Sequence, residues 1–298
     1  IDAMTPLKSR TFEVDRVYRF KRGSGLPVRI PVIEMVEIGA GGGSIARIDT
    51  LGRIQVGPDS AGSEPGPACY GRGGTEPTVT DADVGLGRID PALFGQGAVR
   101  FDADAALAAL EARIGAAAGL DATHAAYGIC EIVDENMANA ARVHAIEWGK
   151  DIAARTMIAF GGAAPLHAAR LAEKLGVDTV IVPPDAGVGS AIGFLMAPVA
   201  YEVVRSRYMR LDAFDPGEAN ATLDAMRAEA EEVVRLGAPD AELVETREAY
   251  MRYIGQGHEI SVTLPDGPLG ADAAAILREA FDAAYTALYG RTIPHLGI

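Results

Sequence analysis

The chain is poor in cysteine: its 298 residues include only Cys69 and Cys130, in no CxxC arrangement. That excludes a disulfide framework and a cysteine-based zinc site, and it makes a reducing cytoplasm the default location. Basic residues are scarce relative to acidic ones, 27 against 41, for a net charge of -14. So acidic a chain argues against nucleic acid or an anionic membrane as a partner. Long hydrophobic runs are absent as well. The longest uncharged stretch, residues 186–201, is broken by Gly187, Gly189, Gly193 and Pro198 and is too short for an ordinary spanning helix. No signal-peptide pattern stands at the start. The chain opens at Ile1, followed by a charged, strand-like run from Arg10 to Arg22, which reads as a piece of a longer protein. What remains is globular in character, 49% hydrophobic and 23% charged, with chain enough for one large or two ordinary domains.

Glycine is abundant, and it clusters. Residues 32–38, a hydrophobic run read as a buried strand, lead into Gly39-Ala40-Gly41-Gly42-Gly43-Ser44. Thr156 to Phe160 lead likewise into Gly161-Gly162-Ala163-Ala164-Pro165. Glycine lets backbone approach an anion with no Cβ in the way, and successive N–H groups in such a loop form a partly positive nest. The second cluster opens a helical stretch, Leu166 to Leu175, whose first amides favour negative charge. Two such loops point to one phosphate-bearing ligand held from two sides.

Around these loops the pattern alternates between strand and helix. Residues 11–20 read as a strand or hairpin arm, broken by Gly23 to Pro27, and residues 45–57 read as a hairpin turning at Asp49 to Gly52. Residues 57–97 are rich in Gly and Pro with little periodicity, a loop with apolar anchors such as Cys69, Tyr70, Val79 and Phe94. Asp102 to Leu120 reads as helix. Asp121 to Gly149 reads as a second helix, apolar at Ala126, Ile129, Cys130, Val133, Met137, Ala140 and His144. A strand at 179–182 and a third glycine turn follow. Beyond Val204 come an acidic helix at 216–236, strands at 243–253 and 258–264, and a last helix at 271–289. The expected organisation is an α/β domain over 1–205 and a smaller α+β domain over 206–298.

The first glycine loop lies between two strands, so it is neither a dinucleotide fingerprint nor a Walker loop, which also needs Gly-Lys-Ser/Thr. Close carboxylates at Asp81 and Asp83 can bind a hard cation or act as acid and base, and they serve equally as caps. Glu64, Tyr70 and Arg72 lie on a stiff loop able to present side chains. His167, one turn into a helix, reads as packing. Asn136, Asn139 and Arg142 read as a polar helix face, and Asp49 as a turn residue.

Together, the runs EIGAGGGSIARID, VGPDSAGSEPGPACYGRGGTEPTVTDAD, IAFGGAAPLHAARLAEKLGV and VIVPPDAGVGSAIG resemble the hydantoinase A family of the actin-like ATPase superfamily. RYIGQGHEISVTLP at 252–265 extends the likeness, without deciding what Tyr253, Gly255, Gln256 and His258 do. The resemblance implies a ribonuclease H-like core with ATP and Mg²⁺ (or Mn²⁺). It implies a cyclic amide substrate whose carbonyl is activated by phosphorylation for ring opening, and a hydantoinase B-like partner subunit. By position, Gly41, Gly42, Gly43 and Ser44 match the second phosphate loop, and Gly161, Gly162 and Pro165 match the adenosine loop. Glu37 stands where such ATPases carry a carboxylate near the metal's water shell; a solvent-facing strand end is the alternative. The family also includes subunits of acetone-type carboxylases, and a non-catalytic actin-like module is a further reading. No Asp-x-Gly phosphate loop precedes Glu37, and the chain stops soon after Tyr289-Gly290-Arg291-Thr292, where family members continue. The expectation is therefore a fragment with an incomplete nucleotide cleft that binds ATP weakly.

Overall fold

The computed structural model describes residues 8–9, 12–14, 25–28, 32–33, 35–93 and 100–298. Residues 15–20 of the first strand-like run, Glu34 and Phe94 lie outside them. The chain divides into two compact units, Ile1–Leu195 and Met196–Ile298, in a mixed α/β composition.

In the first unit, β1 (Lys8–Ser9) pairs antiparallel with β4 (Val32–Ile33), and β2 (Phe12–Val14) with β3 (Leu26–Val28). The expected break over 23–27 is corrected in part: Leu26 and Pro27 belong to the returning strand. The expected buried strand over 32–38 is corrected: pairing stops at Ile33, and Met35 and Val36 are exposed. An apolar run becomes a strand only where a neighbour satisfies its backbone, and among the described residues 35–38 have no ladder partner.

The hairpin of β5 (Ser44–Ile48) and β6 (Ile54–Ser60) does form, antiparallel, with its register shifting between Ser44 and Ala46 beside the glycine loop. Asp49 closes its turn, its Oδ1 accepting the amides of Leu51 and Arg53 at 2.8 and 2.9 Å. The aperiodic segment 57–97 hides a helix, α1 (Val79–Gly85), opened by a capping box between Thr78 and Asp81. Then α2 (Ala103–Leu110) starts on an Asp102 cap and passes through a π turn at Glu111–Gly115 into α3 (Ala116–Ala118). The long α4 (Ala122–Glu147) is capped by Asp121. Its buried stripe of Ala125, Ala126, Ile129, Cys130 and Val133 packs with Leu110, Ile114 and Val79 against Ala46 and Val56 of the hairpin. Asn136 and Asn139 are exposed, on the opposite side.

The unit closes with a parallel pair, β7 (Thr156–Ile158) and β8 (Thr179–Ile181), joined by α5 (Ala164–Leu175) as the crossover that parallel strands require. Pro165 lies in the first turn of α5, where its missing N–H costs nothing. At the far end Gly176 is left-handed, and Arg142 of α4 donates to the Lys174 carbonyl at 2.7 Å. After α6 (Gly189–Met196), the second unit holds α7 (Pro216–Gly237), an antiparallel pair of β9 (Glu248–Met251) and β10 (Ile260–Thr263), and α8 (Ala273–Tyr289). Its core is aromatic: Tyr253 meets Phe281 and Tyr285 edge-on at 4.9 Å. Ile293 N donates to the Tyr253 hydroxyl, and Gln256 Nε2 to that of Tyr285, so these two motif residues serve the fold of this unit. Gly255 takes φ +91°, and His258 is exposed. Among the described residues no helix is long and apolar enough to cross a membrane.

Candidate functional site

The first glycine loop is held by its own carbonyls. Gly42 O accepts both Thr80 N (2.8 Å) and Thr80 Oγ1 (2.9 Å) from the start of α1, and Gly43 O accepts Ala61 N (2.9 Å). Ser44 is buried, and its Oγ accepts Gly41 N at 2.9 Å. In a trans peptide C=O and N–H point opposite ways, so the amide of Gly43 points away from Thr80.

The second loop starts from Gly161, at φ +100°, whose amide donates to Ala186 O at 2.7 Å. It ends in the first turn of α5, which has no side-chain cap. That leaves the amides at the positive end of the helix dipole without a side-chain partner.

A cavity of about 440 Å³ joins the two loops. Gly41 and Gly42 line it from one side and Ala163 and Ala164 from the other, with Met137, His144 and His167 between. A volume of this order suits a small-molecule ligand. Val36 and Ile38 also line it, and Glu37 between them is exposed. Gly161, Gly162 and Pro165 flank Ala163 and Ala164 in sequence without lining the cavity themselves.

Asp81 and Asp83 are fully buried and part ways. Asp81 accepts Thr78 N and Oγ1 at 2.8 and 2.9 Å, Ala68 N at 3.2 Å and Cys69 N at 2.8 Å, tying the glycine-proline loop onto α1. Asp83 faces Arg88 (3.3 Å), Cys130 Sγ (3.5 Å) and His167 Nε2 (3.4 Å). Neither carboxylate lines the cavity; Asp83 reaches its wall through His167.

His167 in turn has Nδ1 at 2.8 Å from Asp134 Oδ1. Burial pulls the pKa of His167 down, and the carboxylates of Asp134 and Asp83 more than offset this and raise it to about 9. Burial, with Asp83 adding, pushes the Cys130 thiol far up, so it is no nucleophile at neutral pH.

Tyr70 stacks on Phe101 at 5.3 Å, Arg72 lies over its ring, and Glu64 is exposed; none of the three lines the cavity. Among the described residues no group of three His, Cys, Asp or Glu side chains is placed to hold a metal ion. Asp134 escaped the sequence reading. Its signal was a carboxylate set within the apolar stripe of α4, one turn beyond Cys130.

Residues 3–203 match the sequence model of the hydantoinase/oxoprolinase family. The chain belongs to that family. It is 38% identical over 273 residues to the caprolactamase subunit alpha of Pseudomonas jessenii, covering 90% of this chain and 39% of that protein. The structure of ATP-dependent caprolactamase from Pseudomonas jessenii aligns with a TM-score of 0.65 at 37% identity, over 92% of this chain and 40% of that one. The nucleotide-free structure of acetone carboxylase aligns with a TM-score of 0.74 at 30% identity, over 91% and 40%. The chain therefore spans about 40% of the length of these hydantoinase/oxoprolinase relatives.

Proposed function

We propose that this chain forms the central part of an ATP-dependent cyclic amide hydrolase, and that the cavity between its glycine loops is the nucleotide cleft. The observation that carries this reading is the cavity itself: one space bordered by the GAGGGS loop and by the uncapped start of α5. Within the GAGGGS loop, Gly41, Gly42, Gly43 and Ser44 take the β and γ phosphates. The loop carrying Gly161, Gly162 and Pro165 takes the adenosine side.

An unstrained lactam carbonyl is a poor electrophile. Moving the γ-phosphoryl group to its oxygen activates the carbonyl carbon; one water adds there and the C–N bond breaks to give the free amine and an acyl phosphate, and a second water then releases the carboxylate and inorganic phosphate. The protein's share in such a transfer is positioning and charge neutralisation. A Mg²⁺ or Mn²⁺ ion held near Glu37 through its waters would neutralise phosphate charge. Hard cations of this kind keep several waters and take few protein ligands, which fits the single carboxylate of Glu37 beside the loop. The geometry favours Asp81 and Asp83 as groups that hold the site together over groups that touch substrate.

The core we infer is ribonuclease H-like, with the β5–β6 hairpin and the parallel β7–α5–β8 unit as its parts and residues 32–38 beside them. In support, Val36 and Ile38 line the same cavity as Ala140 and Ala141 of α4. Unpaired Cys69 and Cys130 fit a reducing cytoplasm, and the subunit nature of the caprolactamase relative supports a second, hydantoinase B-like chain as partner.

The test is phosphate release by the full-length protein with its partner subunit, with and without a panel of lactams and hydantoins. Lactam-dependent release that in Gly41→Val needs about tenfold more ATP supports the reading; no release with any cyclic amide sinks it. A ketone-carboxylating role is the second reading, favoured by the higher TM-score of the acetone carboxylase alignment. ATP consumption that requires bicarbonate and a ketone would select it.

A further inference from the structure

Buried charge is rare in this protein, and where it occurs it asks for a reason. Asp81 has one in its four backbone and hydroxyl donors. Among the described residues the other buried carboxylates and the buried imidazole, Asp83, Asp134 and His167, exposed at 2% or less, form a single cluster that joins three helices. Asp83 comes from α1, Asp134 from α4 and His167 from α5. Arg88, just after α1, completes it, at 3.3 Å from both Asp83 Oδ1 and His167 Nδ1. Cys130, its thiol protonated, donates weakly to Asp83.

The two carboxylates favour the charged form of the ring. A separation of 2.8 Å between His167 Nδ1 and Asp134 Oδ1 needs a proton on Nδ1. An unprotonated Nε2 would set its lone pair against Asp83 Oδ2 at 3.4 Å. Two protons on the ring make both carboxylate contacts attractive, with Nδ1 also 3.3 Å from the Arg88 guanidinium, and leave two carboxylates opposed by two cations. Take the imidazolium charge away and a net negative charge remains among nearly buried groups, with α1 and α4 carrying like charges.

Both glycine loops hang from this cluster. Thr80, one turn before Asp83 on α1, bonds the Gly42 carbonyl twice. His167 lies in the first turn of α5, three residues after Ala164. A shift of α1 against α5 would therefore change the distance between the two loops.

We propose that His167 is a positioning residue: by bridging Asp83 and Asp134 it clamps α1 and α4 to α5 and so sets the separation of the two loops. This rests on the reading of the cavity as a nucleotide cleft, although the clamp itself can be tested without nucleotide. It also has a pH signature. The pKa of His167 rises on folding from an ordinary value near 6.5 to about 9, so its contribution is fully present below about pH 6.5 and is lost as pH rises through about 9.

The experiment uses the full-length protein as wild type, His167→Gln and Asp134→Asn, with two readouts. The first is hydrogen–deuterium exchange at pH 7 of peptides covering 39–45 and 160–166. In His167→Gln both should exchange about tenfold faster together, with 248–263 unchanged, as expected for local loosening. The second is the affinity for a fluorescent ATP analogue against pH. Wild-type affinity should fall as pH rises through about 9. Asp134→Asn should move that fall to lower pH by about one unit, since it removes a charge that holds the proton. His167→Gln should weaken binding about tenfold with kcat at saturating ATP within about threefold, the pattern of lost positioning without lost chemistry. Wild-type exchange in both loops of a folded His167→Gln overturns the clamp. So does a large fall in kcat at unchanged affinity, which would make His167 a proton-transfer group. Should His167→Gln not fold, Asp134→Asn carries the same exchange test. A wild type that binds no nucleotide fails the cleft reading alone, and the exchange readout still decides the clamp.

Discussion

The two glycine loops use the same residue for different reasons. In the first, a Cβ on Gly42 would lie 2.8 Å from Thr80 Oγ1, and one on Gly43 would lie 2.9 Å from Ser60 Oγ. These glycines are required by the protein's own packing. In the second, nothing lies within 4 Å of a Cβ on Gly161 or Gly162, and only the φ of +100° at Gly161 demands glycine. Gly41 belongs with the open class, since its Cβ would also meet nothing within 4 Å. A glycine-rich motif is thus not by itself a ligand loop. Position by position, the space around a virtual Cβ separates glycines kept for the fold from those whose vacancy faces a cavity or solvent.

That contrast can be broken by substitution. Gly42→Val should have the largest effect. It forces Thr80 and α1 to move and should cost about 2 kcal/mol of stability by overpacking, read by denaturant melts. A stable Gly42→Val would mean that the loop is looser than its hydrogen bonds imply.

Gly41→Val and Gly162→Val come next. Stability should stay within about 0.5 kcal/mol of wild type. Nucleotide affinity should drop about tenfold, or about 1.4 kcal/mol, in a direct titration. Unchanged affinity in both would leave the open glycines without a ligand to explain them. This pair is a cleaner probe of nucleotide binding than any change at Gly42, where packing and ligand effects cannot be separated. Ser44→Ala should be the mildest. It removes the acceptor of the Gly41 amide and should cost about 1 kcal/mol in thermal or chemical melts, with a smaller loss of affinity than Gly41→Val.

Much of the scaffold was legible because its signals are local. The three-and-four spacing of Ala126, Ile129, Cys130 and Val133 gives α4, and the turn at Asp49 to Gly52 gives the hairpin. Helix α1 was hidden because seven residues between Gly and Pro clusters show too little periodicity. Its one local sign was the pairing of Thr78 with Asp81. The run 32–38 misled for the opposite reason: hydrophobicity says what could be a strand, and pairing decides what is one. The cluster of Asp83, Asp134 and His167 could not be read from spacing, because its members come from three helices brought together by tertiary packing. Only the lone carboxylate on an apolar stripe of α4 hinted at it.

The two ends of α5 are treated unequally. At its C-terminus the guanidinium of Arg142 sits on the Lys174 carbonyl, placing a full positive charge against the negative pole of the helix. At its N-terminus no side chain caps the first amides. The field of this helix is therefore quenched where it would be useless and escapes at one end, into the cavity. An approaching anion meets this potential before it touches any residue, and salt should weaken the attraction over about 10 Å at 0.1 M ionic strength.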